Sequence, residues 1–125
     1  MSGLRAFFEA YGDSFTKGPA AIAAFYAEPC ITARAGSVRF SPTRKDTETF
    51  FAMVDANYRE RGFRQGAILF IIEQSLGANS VIATIQWAYK DAAGRTLWES
   101  TFSYNLYKLG ADWKILLQTM HDHAA

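Results

Sequence analysis

The chain is short of several things, and each shortage excludes something. It has one cysteine, Cys30, so an internal disulfide and a multi-cysteine metal site are both ruled out. Cys30 follows Pro29 in an apolar stretch, where a buried, inert thiol is expected, and no local motif supplies a base to activate it. There is no charge of one sign to spare: Lys and Arg number 13, Asp and Glu 12, for a net charge of +1. Nucleic-acid binding rests on accumulated positive charge, so it is not expected. A local basic excess between Arg34 and Arg64 reads as a solvated helix face with basic flanks. No long hydrophobic run occurs. The longest uncharged stretch, Gln74 to Tyr89, contains Gln, Ser, Asn and Thr, so no membrane span is expected. Arg5, Glu9 and Asp13 interrupt the N-terminus, which therefore lacks the apolar core of a signal peptide. A cytoplasmic location is the expectation.

What is present is apolar and aromatic. Half of the 125 residues are hydrophobic and 15% are aromatic, enough for a core and for a lined cavity. The length predicts a single domain over 1–125.

Periodicity predicts the elements. Leu4, Phe7, Phe8, Tyr11 and Phe15 recur at helical spacing. Gly18-Pro19 punctuates, and a second helix is expected from Pro19 to Ala27, stopped by Pro29. Two short strands divided by Ala35-Gly36-Ser37 occupy residues 30–40. Thr43 with Asp46 forms a weak capping box for a third helix, whose stripe is Phe50, Phe51, Val54 and Tyr58 and whose end is Gly62.

From Phe63 onward the period is two. The strand at 67–76 is apolar throughout Ile68–Ile72, which predicts burial on both faces. In the strand at 80–90, Val81, Ala83, Ile85, Trp87 and Tyr89 face inward and Thr84 and Gln86 outward. In the strand at 95–108, Trp98, Ser100, Phe102, Tyr104 and Leu106 oppose Glu99, Thr101, Ser103 and Asn105. The last strand places Trp113, Ile115, Leu117, Thr119 and His121 on one side and Lys114 and Gln118 on the other. The order is α-α-β-β-α-β-β-β-β: an α+β fold, with helices against a curved antiparallel sheet that wraps into a cone-shaped α+β barrel.

Three segments carry a family resemblance. They are Phe25-Tyr26-Ala27-Glu28, the strand Trp98–Lys108 with Tyr104-Asn105-Leu106, and Gly110-Ala111-Asp112-Trp113-Lys114-Ile115. With the element order, they resemble the nuclear transport factor 2-like (cystatin-like) superfamily and, within it, the SnoaL-like polyketide cyclase group. The resemblance implies a conical pocket. Catalytic members of the superfamily turn carboxylates, tyrosines or histidines into it. An isomerase-type strand Asp and an Asp-Arg-Asp network are both missing from the apolar faces here.

The polar-tipped and broad aromatic groups read as inward are Tyr11, Phe15, Tyr26, Trp87, Tyr104 and His121. They are the expected lining for a small apolar or aromatic molecule, with no cofactor. An alternative is an isomerase, dehydratase or cyclase in which His121 and Tyr104 form the acid–base pair. A third reading is an interaction module whose cone is plugged. His121 and His123 would face alike on a strand, but no third metal ligand accompanies them, so no metal is expected. The outer face, with Thr84, Gln86, Thr101, Ser103, Asn105, Gln118, Tyr107 and Leu116, is nearly uncharged, and a homodimer through it is expected.

Overall fold

A computed structural model describes residues 3–122. Helix α1 spans Leu4–Ser14 and buries Leu4, Phe8 and Tyr11, the expected stripe. Helix α2 spans Pro19–Ala23, with proline in its first turn. Strands β1 (Tyr26–Arg34) and β2 (Ser37–Ser41) form a hairpin. Ala35 and Gly36 turn it with φ of 53° and 77°. Two successive positive φ values match the right-handed twist of paired strands. Helix α3 (Arg44–Glu60) opens on a complete capping box between Thr43 and Asp46. The Glu28 carboxylate also accepts from the Arg44 backbone N–H in its first turn. Strands β3 (Gln65–Ser75), β4 (Ser80–Lys90), β5 (Thr96–Leu109) and β6 (Asp112–Met120) follow.

The six strands form one sheet in the order β2-β1-β6-β5-β4-β3. The expected α+β class and order of elements hold. The curved sheet does not close into a barrel: β2 and β3 are free edges. Nor is it wholly antiparallel, because β1 pairs with β6 in parallel. The helices cover its concave face. Phe8, Ile85, Leu106 and Ile115 at the centre are all fully buried. Gly12 lets α1 approach closely. A Cβ there would lie 3.0 Å from the Trp87 ring.

Three expectations are corrected. The second helix ends at Ala23 rather than Ala27, and Tyr26 begins β1. There the Phe25 carbonyl accepts from the Ile115 N–H, and sheet pairing overrides the helical composition. Pro29 lies within β1 instead of ending a helix. Second, β3 is not buried on both faces. An irregularity between Ile68 and Phe70 leaves Leu69 unpaired. Ile68 and Ile71 then pack inward, while Phe70 and Ile72 are 39% and 61% exposed on the convex side.

The third correction concerns β6. Asn105 pairs with Leu117 but Leu106 pairs with Ile115, so Leu116 is an extra, bulged residue. A one-residue slip exchanges the faces of all that follows. Ile115 points inward as expected, but beyond the bulge Gln118 is inside, opposite Tyr104. Leu117, Thr119 and His121 take the phase of the outer face.

Two substitutions test this account by urea denaturation. Phe8→Ala should cost about 3–5 kcal/mol, because it empties the space between α1 and the sheet. Thr43→Ala should cost about 1 kcal/mol, the usual worth of a helix cap. Equal effects would contradict the assigned core.

Candidate functional site

The concave face ends in a polar cluster beneath an apolar mouth. Tyr26, on β1, joins two other elements. Its hydroxyl accepts from Gln118 Nε2 at 2.7 Å and bonds the Tyr11 hydroxyl at 2.6 Å. Tyr104, on β5, accepts from Trp87 Nε1 at 2.9 Å. All five side chains are buried. Either phenol can donate in the Tyr11–Tyr26 bond. One phenolic proton of that pair, and that of Tyr104, then has no acceptor among the described residues. Gln118 Oε1 is also buried without a hydrogen-bond partner.

Tyr11, Tyr104 and Gln118 line an inner cavity of about 40 Å³, along with Phe15 and Phe102. That is space for roughly two or three waters. Arg34, Val54 and Tyr58 line this cavity and also a wider hollow of about 610 Å³ that opens outside it. They form its neck. The hollow's remaining wall includes Phe50, Met53, Arg61, Trp98 and Met120. Arg34 Nη2 donates to the Tyr58 hydroxyl at 3.2 Å. Tyr58 packs edge-on against both Tyr89 and Trp98, which stack on each other at 4.9 Å.

Burial dominates the electrostatics. It pushes the Tyr11, Tyr26 and Tyr104 hydroxyls well above the ordinary phenol value, and Tyr89 in the same direction. These groups are neutral donors at physiological pH. Burial also raises the Cys30 thiol, which lies 3.3 Å from the Thr47 hydroxyl. The cysteine is buried, as its setting predicts.

The residues singled out from the sequence separate into three positions. Tyr11, Phe15 and Tyr104 line the inner cavity. Tyr26 and Trp87 stand behind it and hold Tyr11 and Tyr104 in place. His121 is elsewhere. Its Nε2 lies 2.7 Å from the Ser103 hydroxyl, and its N–H donates to the Thr101 carbonyl. It is exposed and borders a separate hollow with Gln86, Glu99 and Asp122. The sheet therefore separates His121 from Tyr104, because the Leu116 bulge moves residues 117–121 to the opposite phase. His123 lies outside the described residues, and no metal-binding group of three or more His, Cys, Asp or Glu occurs among the described ones.

Sequence reading missed Gln118 and Arg34 as lining residues. Gln118 carries no signal, since the bulge is silent in the sequence. Arg34 does carry one: it continues the inward alternation of Cys30 and Thr32. Tyr58 and Val54 were legible only as packing residues of α3.

Comparison with known proteins fits this architecture. Residues 2–123 match the family described as NTF2-like protein (DUF6841). The chain belongs to that family. An NTF-2-like protein of unknown function from Shewanella oneidensis is similar, with a TM-score of 0.74 at 15% identity, over 95% of this chain and 96% of that one. So is a domain of unknown function with a cystatin-like fold from Nostoc punctiforme (0.73, 16%, 98% and 76%). A third is a putative calcium/calmodulin-dependent protein kinase II association domain from Xanthomonas campestris (0.71, 16%, 97% and 87%). Identities this low establish the NTF2-like fold and leave function open. No curated protein matches the chain. No helix among the described residues is long and apolar enough to cross a membrane.

The raised phenol values make a pH prediction. Stability gained from keeping these phenols neutral is fully present below the unfolded value near 10. It is lost as pH rises above that, because only the unfolded chain then releases the protons. Absorbance at 295 nm should show Tyr11, Tyr26 and Tyr104 ionising only with unfolding. Their ionisation at the ordinary phenol value in the folded protein would contradict the buried cluster.

Proposed function

We propose that this NTF2-like domain binds a small apolar or aromatic molecule. The body of the molecule occupies the hollow between α3 and the sheet, and its polar tip reaches toward the inner cavity. The observation that carries this reading is Gln118 Oε1, a buried acceptor without a partner, lining a cavity that shares the neck residues Arg34, Val54 and Tyr58 with a wider, largely apolar hollow. A buried acceptor left unpaired costs about 1–3 kcal/mol, which a ligand's hydroxyl or N–H offsets. The Tyr104 hydroxyl provides a donor for an oxygen at the same place. Small-molecule sites combine such apolar walls with a few convergent polar groups.

Calorimetric titration with 2-naphthol tests the pocket. Saturable one-site binding is expected, and Val54→Trp, which fills the neck, should weaken it by about tenfold or more. Absence of saturable binding to the wild-type protein would overturn this use of the hollow.

A homodimer through the convex sheet face is a second proposal, favoured by where the exposed apolar groups lie. Ile31, Val38, Phe40, Phe70, Ile72 and Tyr107, each 36–73% exposed, share that face by register. Between them are the uncharged Thr84, Thr101, Ser103 and Thr119. Gln118, expected there from the sequence, is inside. An apolar face of this extent needs a cover, and a second copy supplies one of matching shape at about 10 Å. Light scattering should give about twice the 13.9 kDa chain mass. Thr101→Arg with Ser103→Glu should return the mass to that of one chain. A wild-type monomer at micromolar concentration would rule the dimer out.

A further inference from the structure

We propose that the molecule taken by the hollow is a carboxylate with a flat apolar body, and that Arg34 holds the carboxylate. The inference rests on the hollow being a ligand site and adds the ligand's charge and shape; the carboxylate, an acceptor only, stays at Arg34, and any donor for Gln118 Oε1 is a separate group of the ligand.

Arg34 is a half-buried guanidinium at the neck. Its Cζ lies 5.7 Å from the centre of the Phe50 ring and 5.4 Å from that of Phe102. At these distances the rings attract the cation without taking its N–H groups in hydrogen bonds, so those not given to Tyr58 are available to a carboxylate. Among the described residues, the only recorded hydrogen bond from Arg34 is the one to Tyr58.

No anion among the described residues pairs with it. The ion pairs among the described residues are Arg5–Glu9, Arg59–Asp55 and Arg95–Asp91, and Arg34 is in none of them. Two carboxylates border the two cavities. Asp55 gives both its oxygens to Arg59 Nε at 3.1 Å, and that arginine also donates to the Phe15 carbonyl. Glu99 accepts from Gln86 at 2.6 Å. Burial keeps the Tyr11, Tyr89 and Tyr104 hydroxyls of the inner cavity neutral. A cation withdrawn from water among rings and neutral phenols favours an anion brought in from outside.

The rim repeats the pattern. Arg61 has its Cζ 3.8 Å from the Trp98 ring centre, and Arg39 lies 5.4 Å from that of Phe50. Arg61 lines the hollow and adds positive charge there, and neither arginine has a carboxylate partner among the ion pairs of the described residues. Phe50, Trp98, Met53 and Met120 then offer apolar wall to a planar body. The volume of about 610 Å³ admits a two-ring acid.

Calorimetry with 2-naphthoate and its neutral isostere 2-naphthamide tests the charge. The wild-type protein should bind the acid at least about tenfold more tightly than the amide. Arg34→Gln should remove that preference, with the acid losing affinity by the larger factor, and Arg61→Gln should reduce it by a smaller factor. Raising the salt concentration should weaken the acid selectively. If the wild-type protein binds both equally, the assignment of a carboxylate is overturned and the hollow still stands as a ligand site. If neither compound nor 2-naphthol binds, both readings fall. Arg34→Gln protein that retains the wild-type preference would acquit Arg34. The wild-type comparison is decisive by itself should that variant fail to fold.

Discussion

Between Ile115 and Leu117 the last strand carries one residue more than its neighbour can pair, and the interior is arranged around that count. The bulge keeps Ile115 under the helices and still delivers Gln118 to the same side three residues later. From there the amide reaches Tyr26 on the adjacent parallel strand, and Tyr26 reaches Tyr11 on the first helix. Without the extra residue, Gln118 would face outward and the Tyr26 hydroxyl would lose its donor. The polar floor of the cone is thus a consequence of sheet register.

Above that floor the protein builds its walls from rings. Tyr11 contacts Phe8, Phe15, Phe25, Tyr26, Trp87 and Tyr104 at centroid separations of 5.1–6.1 Å. Most of these pairs are edge-on or tilted, the geometry that ring quadrupoles favour. Such packing fixes the hydroxyls within a largely apolar surround. It also leaves the arginines at the mouth with ring faces as neighbours. Stiff walls, neutral donors inside and unneutralised cations outside are therefore one arrangement.

Much of the fold was legible because its signals were long. The inward set of β4 alternates over nine residues, from Val81 to Tyr89, and that of β5 from Trp98 to Leu106, so neither phase was ambiguous. Thr43 and Asp46 marked the start of α3 in advance. The misreadings occurred where local pattern admits two answers. Leu116-Leu117 is apolar at both positions, so an alternating pattern passes through it unbroken and hides the bulge. Phe25-Tyr26-Ala27 continues a helical composition and turns extended only because β6 lies alongside. The run Ile68–Ile72 is apolar on both sides, but within one chain only the concave side has a cover. The site was half visible for the same reason: Tyr11 and Tyr104 lie on clear stripes, whereas Gln118 depends on the hidden slip.

The three tryptophans occupy settings different enough to serve as internal optical probes. Trp87 is sealed in the core with its N–H bonded to Tyr104. Trp113 is half-buried near the start of β6. Trp98 stands at the mouth, stacked on Tyr89 and capped by the Arg61 guanidinium. A molecule placed in the hollow would lie against Trp98, which lines it, whereas Trp87 is sealed in the core. An indole reporting on occupancy and one reporting on folding would therefore be different residues, and their emission can be separated by replacing one ring at a time.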